Sequence, residues 1–330
     1  MLMIDRRGFL LGGLAAGAAV GLAACGTSGG EQGGKVTVGL TYIPNVQFSA
    51  FYLGVDRGIF ADNGLDVTLR HHGEQEDVFG ALLRGGEQVV FASADEAMVA
   101  AAGGNDLRTF ATSYQTYPLN VIGLDGTLTL PPEPLTVLEG RTLGIPGHFG
   151  SSYYAALCAI HRSGLTEQQV TLQDIGYTAL SALEAGKVDF IVGFINNELV
   201  QLQLRGGTPL ALPVTSESEP SLVGPSLITR GGALEDASLK RMADAMAEAQ
   251  QAVIDDPQAA LEATAKQVPA LSDATQREAA AKVLEATTQM WLRDGKVDVS
   301  VDEAAFARMG EFLTEAGIIE APPEAPYISL

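Results

Sequence analysis

The sequence predicts an α/β protein built as two βαβ lobes with a run of helices at its carboxyl end, and three observations carry that reading. Residues 36–67, VTVGLTYIPNVQFSAFYLGVDRGIFADNGLDV, spell strand, polar-aromatic loop, helix and strand. The same order restarts at Gly140. From Ala237 onward the apolar spacing is helical.

In the first unit, Val36, Val38 and Leu40 alternate as a short buried strand does, and Pro44 keeps the next loop out of helix. Phe48, Phe51, Tyr52, Val55 and Ile59 then predict one helix over 48–60, closed by Asn63-Gly64 in the left-handed turn. Leu65, Val67 and Leu69 begin a second strand. A short helix over 77–84 and a strand over 89–92 follow, and Ser93 with Asp95 and Glu96 opens the helix at 97–102. A strand over 107–111 completes the first part.

The second unit reads as a strand at 141–145, a helix at 153–163 capped by Ser151-Ser152 and stopped at Gly164, and a strand at 170–175. A helix at 179–185 and a strand at 190–193 follow. Gly85-x-x-Gln88 before Val89-Val90-Phe91-Ala92 mirrors Gly186-x-x-Asp189 before Phe190-Ile191-Val192-Gly193. Residues 120–123 lead out of the first lobe and 222–228 lead back. The lobes are therefore expected at 35–121 with 225–330, and at 122–224. Helices at 239–255, 257–267, 273–293 and 302–316 are expected to pack on the first lobe, with Trp291 in core or rim packing.

Hydrophobic residues make up 46% and charged residues 18% of 330, enough core for two domains. The formal charge of −20 excludes a nucleic-acid partner, which needs a basic face. Cys25 and Cys158 make no disulfide framework and no zinc spacing, and His71-His72 read as solvated surface rather than metal ligands. Arg6-Arg7-Gly8-Phe9-Leu10 before a Leu/Gly/Ala run resembles a twin-arginine export signal over 1–24. Leu22-Ala23-Ala24-Cys25 resembles a lipobox, so Cys25 is the expected lipidation site and 25–34 a flexible tether. The expectation is an exported, membrane-anchored monomer.

The pattern Tyr42-x-Pro44-Asn45, Gly54-x-Asp56-x-Gly58-Ile59-Phe60 and Asn63-Gly64-Leu65-Asp66-Val67 resembles the substrate-binding proteins of bacterial ABC importers, within them the NMT1/THI5-like group. The resemblance runs from about Val36 to about Ile319. It implies the type II periplasmic-binding fold with a two-crossing hinge, a small-molecule ligand, an ABC transporter permease as partner and no cofactor. The group includes carriers of thiamine-pyrimidine precursors, riboflavin and sulfonates.

In open α/β sheets, ligands sit at the carboxyl ends of strands. That rule selects Tyr42 and Asn45, Ser93 and Asp95, Tyr114 and Gln115, then His148, Ser151 and Ser152. It also selects Phe194, Asn196, Asn197 and Glu198, a run resembling the Gly-aromatic-x-Asn-x-Glu stretch of the pyrimidine-precursor carriers. The local alternative is that Asn196 and Asn197 cap a helix beginning near Glu198. The selected loops hold aromatics, amides and acids but no Arg or Lys, which favours a flat heterocycle of the pyrimidine-precursor kind over an anion. Riboflavin, or a sulfonate or nitrate, are the alternatives, and Ser151-Ser152 at a helix start keeps an anionic ligand group open. An enzyme is not expected. The yeast relatives that make a pyrimidine resemble single-turnover enzymes with a pyridoxal-phosphate lysine and a cysteine-rich run. Residues 42–70 contain no Lys, and the chain has no Cys cluster.

Overall fold

The structure, a computed structural model, describes residues 34–73, 76–125, 127–216 and 218–330. The expected signal, tether and Cys25 lie outside the described residues. The chain opens with β1 (Gly34–Leu40), a 3-10 turn (Val46–Phe48), α1 (Ser49–Asp56), α2 (Ile59–Asp62) and β2 (Leu65–His71). The helix expected over 48–60 is thus in pieces. Gly58, at φ 74°, turns the chain left-handed between α1 and α2, a conformation that glycine adopts without strain.

Next come α3 (Gly80–Leu83), β3 (Val89–Ser93), α4 (Ala94–Ala102), β4 (Leu107–Thr112) and β5 (Leu119–Gly123). The second half contains β6 (Thr142–Ile145), α5 (Gly150–Ser163), β7 (Thr171–Asp174), α6 (Ala179–Glu184), β8 (Phe190–Phe194), α7 (Glu198–Leu204) and β9 (Leu210–Pro213). The chain returns through β10 (Pro225–Arg230) into α8 (Asp236–Asp255), α9 (Pro257–Ala265) and α10 (Ala274–Met290). A hairpin of β11 (Leu292–Arg293) and β12 (Lys296–Val297) precedes α11 (Glu303–Glu315).

Two mixed five-stranded sheets result, ordered β2-β1-β3-β10-β4 and β7-β6-β8-β5-β9. They correspond position for position, and in each the fourth strand is antiparallel to both neighbours. That strand comes from the other half of the chain in both cases. β5 lies whole in the second sheet, so the expected boundary at 121/122 falls inside a strand.

The sequence echo has a physical basis. Gly85 at φ 79° and Gly186 at φ 65° make equivalent left-handed turns. Gln88 Oε1 accepts the Thr37 N–H at 2.9 Å, and Asp189 Oδ2 accepts the Thr142 N–H at 2.8 Å. Each side chain thereby pins the start of its sheet's β3-type strand to the strand beside it. The open edge at β4 is covered by the carboxyl-terminal residues, with Thr109 bridged to Tyr327 and its carbonyl accepting the Ile328 N–H.

α8, α9 and α10 pack on the first lobe as expected, burying Met242, Leu261 and Leu284 in one core with Phe51 and Leu53 of α1. Trp291 lies in the same core, 1% exposed. α11 reaches further and bridges, burying Met309 and Phe312 with Met98 of α4 and with Leu143 and Ile145 of β6.

His71 and His72 are not solvated surface. β2 pairs with β1 as far as Leu40 opposite His71, so the two histidines continue a strand rather than start a loop. His72 is 4% exposed and meets the buried Glu87 carboxylate at 2.9 Å, with Arg70 on the same carboxylate at 2.6 Å. His71 Nδ1 lies 2.8 Å from the Tyr42 carbonyl and its Nε2 2.9 Å from the Tyr52 hydroxyl. The carbonyl can only accept, so Nδ1 carries the proton and Nε2 accepts from Tyr52. Burial lowers the pKa of His71, in keeping with this neutral ring. The result braces the loop that presents Tyr42.

Candidate ligand-binding cleft

The chain passes between the sheets twice, after β4 and after β9, and the two crossings touch. A Cβ added at Gly224 would lie 2.9 Å from Pro118 Cδ and 3.5 Å from Tyr117 Cδ2. Only a glycine lets the crossings run this close. Parallel strands of both sheets end on the sides that face each other, so their carboxyl-end loops meet in three places.

At the first, the Tyr42 ring from the first sheet meets the Tyr177 ring from the second edge to face, with centroids 5.3 Å apart. At the second, Asn196 from the loop after β8 donates through Nδ2 to Thr287 Oγ1 of α10 at 2.9 Å. The same amide nitrogen lies 3.4 Å from the Tyr114 hydroxyl at the end of β4. Thr287 donates its own proton to the Val283 carbonyl at 2.7 Å, so it can only accept from Asn196. The amide orientation is thereby set. Asn196 Oδ1 is buried and has no hydrogen-bond partner among the described residues.

At the third, Asp95 of α4 is fully buried between the lobes. Its Oδ2 accepts from the Tyr117 hydroxyl at 2.9 Å, and its Oδ1 accepts from Glu96 N–H at 2.7 Å and Ser151 Oγ at 3.0 Å. Burial pushes the Asp95 carboxyl up to about 7, with the Glu96 charge adding to it and the three donors opposing it. The same burial, with the Asp95 charge, holds Tyr117 well above its usual range.

The other expected residues have local duties. Asn45 Oδ1 accepts the Gln47 N–H at 3.0 Å and starts the 3-10 turn before α1. Ser93 is the first residue of the capping box of α4. Gln115 is committed elsewhere: it donates to the Thr112 and Asp298 carbonyls at 2.7 and 2.8 Å and accepts from Arg293 at 2.5 Å, tying the β11–β12 hairpin to β4. His148 is exposed, paired with Asp174 Oδ1 at 2.8 Å and set against the Tyr153 ring. Phe194 is half-buried against the second core.

Ser151 and Ser152 are not caps. α5 begins three residues earlier than expected, at Gly150, with Phe149 in the cap position and no side-chain cap. Glu198 braces its own loop, with Oε2 accepting the Phe194 N–H at 2.8 Å and Oε1 the Asn197 amide at 3.1 Å. Burial raises its pKa and the Phe194 N–H opposes that. Asn197 Oδ1 accepts from Gln201 at 2.7 Å. The run Phe194–Glu198 is therefore a self-supported turn whose product is the position of Asn196.

Sequence reasoning passed over Tyr177 and Thr287. Tyr177 stands in the loop after β7, a strand end that the carboxyl-end rule covers. Thr287 sits in mid-helix, and no local signal marks it.

Two sheets of matching order, joined by paired crossings, with aromatic and amide side chains meeting between them, define a two-lobed solute-binding protein of the ABC-importer type. Residues 45–260 match the family model described as NMT1/THI5 like, and the chain belongs to that family. It is 29% identical over 303 residues to the riboflavin-binding protein RibY of Chloroflexus aurantiacus, covering 87% of this chain and 82% of that protein. In fold it is similar to the periplasmic aliphatic sulphonate binding protein SsuA of Escherichia coli, with a TM-score of 0.68, 14% identity, and 88% and 90% of the two chains covered. A comparable likeness joins it to the alkanesulfonate-binding SsuA of Xanthomonas axonopodis pv. citri bound to MOPS, with a TM-score of 0.66, 14% identity, and 89% and 98% covered.

Proposed function

We propose that this protein is an extracytoplasmic lipoprotein that closes its two lobes on a neutral flat heterocycle, of the riboflavin class, and delivers it to an ABC importer permease. The observation that carries the ligand class is Asn196 Oδ1. A buried carbonyl-type oxygen without a partner costs about 1–3 kcal/mol, which a ring N–H would recover. A flavin presents such an imide N–H at one edge of its ring system. Tyr114 beside Asn196, and the Tyr42–Tyr177 pair between the sheets, supply aromatic surface, and such faces hold flat rings by stacking and edge contacts. The likeness to RibY favours a flavin over the pyrimidine precursor, whose amino group would also serve Asn196 Oδ1 and which stands as the second reading.

Calorimetric titration of the purified protein with riboflavin, 4-amino-5-hydroxymethyl-2-methylpyrimidine and methanesulfonate separates the readings. Riboflavin is expected to bind tightest and to be recovered unchanged. A preference for the pyrimidine moves the assignment to that class, and a preference for methanesulfonate contradicts it. The anchor is tested apart from the ligand. Cys25→Ser is expected to move the protein from the membrane fraction to a soluble exported form, and retention on the membrane contradicts lipidation.

A further inference from the structure

Where the lobes touch, the amino ends of α4 and α5 face one carboxylate. On the first side, Glu96 closes the capping box of α4, its Oε2 accepting the Ser93 N–H at 3.3 Å. On the second side, Ser151 in the first turn of α5 lies beside Glu96, while its hydroxyl proton goes to Asp95 Oδ1 at 3.0 Å. A Cβ on Gly150 would lie 2.8 Å from Glu96 Oε1, so the carboxylate is seated directly against the first turn of α5. α5 has 14 residues and no acid in its own first turn. The unpaired N–H groups and dipole at such an end attract an anion. Burial raises the pKa of the Glu96 carboxyl, and its Ser93 and Ser151 neighbours oppose that.

We propose that Glu96 is an anion supplied by the protein to the amino end of α5, and that this makes it a specificity-determining residue selecting neutral ligands. It rests on the reading of the space between the sheets as the ligand site. A carrier of anions would leave that helix end open for the ligand's charged group. Here a carboxylate of the protein already sits against that helix end, and an incoming sulfonate or phosphate meets it instead. Selection works by prior occupancy and repulsion together. The two serines of the sequence that kept an anionic ligand group open are thus answered by the protein's own carboxylate.

The test is whether removing the internal anion creates a site for an external one. Glu96→Ala is expected to gain a saturable rise in melting temperature of several degrees with methanesulfonate or acetate, and none with the neutral acetamide. The parent is expected to respond to none of the three beyond their general salt effect. Glu96→Gln keeps a capping-box residue on α4 while removing the charge, so it carries the same measurement if the alanine variant does not fold, with a smaller rise expected. Variants that respond to these anions no more than the parent overturn the proposal. The readout needs no flavin: a parent that fails to bind riboflavin would sink the ligand assignment and leave the anion response to be scored alone.

Discussion

Replacing Asn196 by alanine is expected to weaken riboflavin binding about 5- to 150-fold. The figure converts the roughly 1–3 kcal/mol cost of losing a buried hydrogen-bond partner at 1.4 kcal/mol per decade. Two losses combine in this variant. The ligand's ring N–H loses its acceptor, and Thr287 Oγ1 loses the amide that crosses from the second lobe at 2.9 Å. Thr287→Val separates them, since it keeps the Asn196 oxygen and removes only the group that orients it. That variant is expected to weaken binding less than Asn196→Ala. Titration by quenching of riboflavin fluorescence gives both values, and an Asn196→Ala protein that binds like the parent would remove Asn196 from the site.

Asp95→Asn is expected to raise the melting temperature at pH 8 by several degrees and to leave it nearly unchanged at pH 4. The folded-state carboxyl is raised from 3.8 to about 7. The folded protein therefore keeps a proton that the unfolded chain has released, and stability falls as pH rises between these values. Above that window the ionised group costs roughly 4 kcal/mol as an upper figure. Asparagine keeps the shape and the acceptor for Ser151 and Glu96 N–H, and never ionises. Glu96, Tyr117, Tyr154 and Cys158 share Asp95's surroundings, and burial raises each of them too. Glu96 is the other carboxyl among them, so a residual slope in the variant belongs to it. Scanning calorimetry from pH 4 to pH 8 reads the difference, and parallel curves for parent and variant would contradict the buried-carboxyl account.

Much of the architecture could be read before any coordinates. Alternation at Val36, Val38 and Leu40 marks a strand because one residue in two must face the core. The Gly85 and Gly186 turns stand out because few residues tolerate positive φ before a buried strand. What could not be read depends on partners far away in sequence. β5 has the periodicity of any buried strand, and nothing local says that its neighbours, β8 and β9, come from later in the chain. Gly58 breaks the helix after Asp56, although its flanking apolar residues keep helical spacing. His72 looks polar and surface-bound until Glu87, buried in the turn before β3, is placed beside it.

The cleft divides in the same way. Tyr42, Tyr114, Asp95, Ser151 and Asn196 were selected by one rule about strand ends, and they do meet across the lobes or at their contact. Gln115 and Glu198 satisfy the same rule but have their hydrogen bonds spoken for by Arg293, Thr112 and Phe194. Residue type at a strand end reports which groups are near the cleft. Only geometry reports which buried groups still have an open valence, and Asn196 Oδ1 is one of them.

The central claim, a flat heterocycle captured by closure of two lobes about paired crossings, is tested most directly by small-angle scattering with and without riboflavin. The account predicts a smaller radius of gyration at saturating riboflavin and no change with methanesulfonate. A radius unchanged by bound riboflavin, or reduced by methanesulfonate instead, would contradict it.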